Sequence, residues 1–106
     1  MLGNQHARLV ERVRLKHGEY EERNAIESDG CALQPLRKNG STEQLVGGEL
    51  VTTRWQFFGP PNLPTESRNV VEIAGLKLNV EGDLQVFTDK RGRARYVHGF
   101  LKRWEG

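Results

Sequence analysis

Cysteine is almost absent: Cys31 is the single one in 106 residues, which excludes a disulfide within the chain. Long hydrophobic runs are absent as well. Nothing approaches the roughly 18–20 consecutive apolar residues that a membrane-spanning helix requires, and residues 1–8 lack the apolar core of a secretory signal. A large charge of one sign is also missing, with 16 Lys and Arg against 14 Asp and Glu for a net +2. A dedicated nucleic-acid binder usually carries a clearer cationic surplus, because phosphate neutralisation supplies most of its affinity. There is no Walker loop, no dinucleotide glycine fingerprint and no serine elbow. His6, His17 and His98 lie far apart, and none is spaced with Cys31 as a zinc ligand would be. Cys31 and His98 as a nucleophile and base brought together by folding is a weaker reading than Cys31 as a half-buried small hydrophobe. The sequence therefore predicts no catalytic residue, no metal and no cofactor.

What is present suffices for one small soluble domain over residues 1–106. Hydrophobic residues at 36%, joined by 12 glycines, come to about the share of ordinary globular domains, which excludes wholesale disorder. The dominant period is two, the signature of strands. In Leu76-Lys77-Leu78-Asn79-Val80 the leucines and valine share one face. Residues 8–16 set Leu9, Val13 and Leu15 against Arg8, Arg12, Arg14 and Lys16, with Val10 on the cationic face. Residues 50–58 align Val51, Thr53, Trp55 and Phe57, types suited to a pleated, half-buried surface. Residues 70–73, 84–87 and 94–104 complete a set of short strands, the last apolar on both faces.

Turn chemistry separates these segments. Glu81-Gly82-Asp83 and Lys90-Arg91-Gly92-Arg93 read as hairpin connections. As a carboxylate pair for catalysis, Glu81 and Asp83 are a weaker reading than local turn acids. Residues 59–69 hold three of the four prolines and form a loop that cannot be a central strand. The other loop is Asn39, Gly40, Ser41, Thr42, Glu43, Gln44, Leu45, Val46, Gly47, Gly48 and Glu49, where Ser41 and Gln44 could cap one helical turn that Gly47-Gly48 would stop. Strands at this spacing predict an all-β fold, a small closed or nearly closed β-barrel with long inter-strand loops.

Charge is laid out unevenly. Glu19, Glu21, Glu22, Glu27 and Asp29 form an acidic stretch broken by Arg23, whereas residues 90–103 hold Lys90, Arg91, Arg93, Arg95, Lys102 and Arg103 without a carboxylate. Lys90, Arg91, Arg93 and Arg95, followed by Tyr96, Phe100 and Trp104, are the strongest local signal for phosphate binding and base stacking. With Arg8, Arg12, Arg14 and Lys16 they are the candidate basic surface for docking or for facing DNA. The bland reading is a solvated turn ahead of a core strand, which so small a domain needs.

Three segments in order resemble the head-to-tail stopper proteins (head closure or head-tail connector proteins) of long-tailed bacteriophages. They are Gly40-Ser41-Thr42-Glu43 with the strand ending in Gly59-Pro60-Pro61, then the strand 73–80 leading into Glu81-Gly82-Asp83, then the closing Leu101-Lys102-Arg103-Trp104-Glu105-Gly106. The resemblance spans most of the chain from about Arg8 onward. It implies a β-barrel repeated in a six-fold ring in the virion neck, made in the host cytoplasm, with no enzymatic activity. On one side lies the head adaptor or portal, on the other the tail terminator or tail tube, and double-stranded DNA passes through the channel without any membrane. It also implies that residues 39–49 are a channel-gating loop. Two readings stand beside it: a small nucleic-acid-binding barrel acting through the Lys90 to Arg95 hairpin, and a neighbouring neck protein such as a tail terminator.

Overall fold

The computed structural model describes residues 3–36, 43–46, 49–52 and 54–103. Among them are eight strands and no helix: β1 (Gln5–Arg14), β2 (Tyr20–Pro35), β3 (Glu43–Val46), β4 (Glu49–Thr52), β5 (Arg54–Gly59), β6 (Val70–Ile73), β7 (Leu76–Thr88) and β8 (Ala94–Arg103). The expected all-β class holds, with strands at 70%. Six strands pair antiparallel in the ring order β1-β2-β5-β8-β7-β6, and β6 returns to β1. β3 and β4 make a separate two-stranded sheet.

Alternation decides which side chains fill the ring. Trp55, Phe57 and Gly59 point inward from β5, as do Val97, Gly99 and Leu101 from β8, so the buried side of the last strand is now clear. Fully burying Phe57 contributes roughly 1.5–3 kcal/mol. Leu9 and Leu78 complete the expected inward phases, but Leu76, at the start of β7 beside the turn, and Leu15, just past the end of β1, are both 40% exposed. Val10 is buried although it shares the face of Arg8. Cys31 is fully buried rather than half-buried.

Several boundaries differ from the sequence expectation. Glu81-Gly82-Asp83 is no hairpin connection; it lies inside β7, where the five residues of β7 from Glu81 to Gln85 span what three residues of β8 cover from Phe100 to His98. Gly82 at φ 70° makes this a bulge, which uses the same glycine chemistry as a turn. Conversely the continuous strand expected over 73–80 is broken by a two-residue turn at Ala74 and Gly75, which closes the β6–β7 hairpin at the pair Ile73↔Leu76. Residues 50–58 are split between β4 and β5, which belong to different sheets. The segment 20–35 was not expected as a strand, because its charges and two bulges, near Asn24 and Gly30, erase the period of two.

The expected loop 39–49 is partly strand. Glu43, Gln44, Leu45 and Val46 form β3, and Glu49 opens β4, paired with Val46. Asn39, Gly40, Ser41, Thr42, Gly47 and Gly48 lie outside the described residues. This excursion leaves from β2 and returns to β5, its neighbour, whose first residues are already in register: Pro35 faces Trp55, and the Leu36 N–H donates to the Arg54 carbonyl at 3.0 Å.

Two hairpins outrun the ring. β5 reaches β2 only at residues 32–35, and β6 reaches β1 only at residues 7–10, so β1 and β2 continue alone to their turn. β7 and β8 do the same beyond Asn79 and Val97 respectively. Since all neighbours are antiparallel, the turns at residues 15–19 and 89–93 lie at the same end, with the loop 60–69 between β5 and β6. The outer edge of β1 is covered there: Asn69 accepts from the Arg12 N–H at 2.7 Å and donates to the Arg12 carbonyl at 3.0 Å.

Candidate functional site

Cross-strand partners share a face, so the inward phase of β5 and β8 sends Phe58, Tyr96, His98 and Phe100 outward, with Gln56 beside them. The bulge at Gly82 resets β7 so that Leu84 is buried while Gln85 and Phe87 join the outer face opposite His98 and Tyr96. Ala32 and Gln34 of β2 extend it across β5. The rings touch one another. Phe87 stacks on Tyr96 at 5.1 Å between centroids, Phe58 meets His98 at 4.9 Å, and Phe100 lies edge-on to His98 at 5.0 Å. Phe87 and Phe100 remain 41% and 39% exposed. Protein interfaces have this composition at their centres, rich in aromatics and poor in charge.

Polar groups frame the patch. Gln56 and His98 share a hydrogen bond at 3.1 Å, and burial among the rings pulls the imidazole below its ordinary pKa, so it stays neutral near pH 7. At the lower rim Arg54 grips Glu81 with two parallel bonds of 3.0 Å. Glu81 is therefore occupied structurally, and Asp83 is exposed on the bulge. At the upper rim stands the turn with Lys90, Arg91 and Arg93. Asp89 shapes it by accepting from the N–H groups of Arg91 and Arg93 at 2.9 and 3.0 Å, and from the Arg93 guanidinium at 3.2 Å. Those bonds, the Arg93 backbone first, hold its carboxyl below the usual range. Lys90, Arg91 and Arg95 are exposed.

The remaining expected basic residues are only partly on display. Arg8 is bound to Glu72 and lies 3.7 Å from Glu22, which also holds Lys77 at 2.7 Å. This cationic setting, led by the Lys77 hydrogen bond, lowers the Glu22 carboxyl. Arg12 lies over the Tyr20 ring at 4.0 Å. Arg14 and Lys16 are exposed near the first hairpin turn. The eight cations thus do not form one continuous surface; two are engaged along β1, and the exposed ones gather at two turns.

Cys31 and His98 are not brought together. The thiol lies in the core, where burial pushes its pKa up, and His98 faces out two strands away. Sequence reasoning singled out Tyr96 and Phe100 but passed over Phe58 and Phe87. Phe58 was available from the alternation beside Phe57; Phe87 needed the bulge. Trp104 lies outside the described residues. No protein-family model, curated protein or solved structure matches the chain.

Proposed function

We propose that this chain is the repeating unit of a head-to-tail stopper ring, the neck component that closes the channel of a long-tailed phage head and opens it at ejection. The observation that carries the reading is the outward aromatic face of β5, β8 and β7. It is an aromatic, charge-poor surface of the kind that protein partners cover. In this reading the six-stranded ring is a closed barrel, and copies associate around a channel wide enough for duplex DNA. The near-neutral chain suits a lumen that DNA must traverse without being gripped. The β3–β4 excursion, rooted where β2 meets β5, supplies the gate. The head adaptor and the tail dock on opposite sides of the assembly.

Imaging of virions labelled on this chain tests the proposal. Label at the neck is expected; label in the capsid shell or tail tip, with none at the neck, refutes it.

A second reading is favoured by the Phe87–Tyr96 stack standing next to Lys90, Arg91 and Arg95, the pairing of base-stacking rings with phosphate-binding cations. It requires tight, salt-sensitive binding of single-stranded nucleic acid by the monomer. Changing Arg91, Arg93 and Arg95 together to Ala should then abolish binding, and unchanged affinity disposes of it.

A further inference from the structure

The two hairpin arms leave strand edges that no described strand covers. β2 pairs with β1 from Tyr20 to Cys31 and with β5 only from Ala32 to Pro35, so residues 20–30 present one unpaired side. β7 is paired on both sides only up to Asn79, so residues 81–88 do likewise. Among the described residues the backbone contacts nearest these edges are the Val80 N–H on the Asn69 carbonyl and the Arg68 guanidinium on the Asn24 carbonyl. β1, by contrast, has its edge closed by Asn69 at Arg12. An open strand is a template for another strand.

The two edges differ in chemistry in a complementary way. Beyond Glu81, which Arg54 holds, and Asp83 on the bulge, Leu84-Gln85-Val86-Phe87-Thr88 carries no charge, exposes Val86 at 44% and Phe87 at 41%, and leads through Asp89, whose carboxylate Arg93 engages, into the cationic turn of Lys90 and Arg91. The β2 edge begins after Glu19 and carries Glu21, Glu22, Glu27 and Asp29 against a single cation, Arg23, which is paired with Glu21, together with Tyr20, itself 49% exposed. A charged, twice-bulged edge resists pairing with its own kind, and a neutral one beside cations does not resist an acidic partner. The edges belong to different strands of the ring, so joining one to the other is a head-to-tail contact that repeats from copy to copy.

We infer that copies of this chain join edge to edge, the open β7 edge of one against the open acidic β2 edge of the next, with Lys90 and Arg91 facing Glu19 and Glu21. The inference rests on the reading of the chain as a ring subunit and names the surfaces that ring would use. Main-chain hydrogen bonds supply the attachment, and the charges select which edges meet.

Sedimentation of the full chain at rising concentration and low salt tests this. The wild type should self-associate. Glu19→Lys with Glu21→Lys, and separately Lys90→Glu with Arg91→Glu, should each stay monomeric with an unchanged far-ultraviolet circular dichroism spectrum. Mixing the two variants should restore association, because each then offers the edge the other lacks. Val86→Lys should block association in either background. A wild type monomeric throughout overturns the inference. So does association that survives all these variants, which places the interface elsewhere and leaves the neck assignment standing. Binding of an oligothymidylate probe by a chain that never self-associates also overturns it and favours the nucleic-acid reading. Association that follows the predicted pattern, in a chain whose label is absent from the neck, upholds the edge contact and removes the stopper assignment.

Discussion

Ala74 and Gly75 hold φ values of 53° and 76° in the turn that links β6 to β7. Glycine takes this region freely, whereas an alanine Cβ crowds the backbone there at a cost of roughly 1–2 kcal/mol. Asparagine tolerates it better and is the usual first residue of such a turn. Ala74→Asn should therefore raise the free energy of unfolding by about 1 kcal/mol, read from urea midpoints; an unchanged or lower midpoint contradicts the assignment of the turn. His6 offers a second test. Its Nδ1 lies 2.8 Å from Asp29 and its Nε2 2.8 Å from Glu27. Only an imidazolium can donate to both, and the Asp29 bond, then the Glu27 bond, raises its pKa. A raised folded pKa means stabilisation that is complete below the ordinary imidazole value of about 6.5 and lost as pH climbs through the folded value. Wild type should exceed His6→Gln in stability near pH 6, and the gap should close in alkaline solution. A gap that widens with pH inverts the expected sign.

Among the elements, β5 and β8 were readable because neither carries an interruption over residues that pair with each other. Their alternation runs unbroken from Arg54 to Gly59 against Lys102 to Val97. β7 was misread as two strands because a glycine between acids is the signal for both a turn and a bulge, and only the partner strand distinguishes them. β2 was missed for the opposite reason: most of it packs against one neighbour and little core, so no hydrophobic period marks it. The roots of the excursion between β2 and β5, the candidate gate of the proposed stopper, are pinned by the pairs of Leu33 and Pro35 with Phe57 and Trp55. If the chain is the proposed stopper, shortening residues 40–48 should leave assembly intact while filled heads leak DNA. Heads that keep their genomes would count against the gate.

At the level of the whole molecule, the sequence made the class and the lack of catalytic motifs legible, but not the surface. Phe58, Phe87, Tyr96, His98 and Phe100 come from three strands, and their convergence depends on the register of all three and on the reset at Gly82. The same holds for the cations. Arg8 and Arg12 look available in a linear reading and are drawn down by Glu72 of β6 and by Tyr20 across the β1–β2 hairpin, so of the eight candidate cations the exposed ones lie at or beside the two turns. The neighbouring anchor points of the β2–β5 excursion have a practical corollary. Any peptide spliced between Leu36 and Arg54 begins and finishes at the same doorway, so an epitope or fluorophore tag grafted there would leave the register of the six-stranded wall untouched.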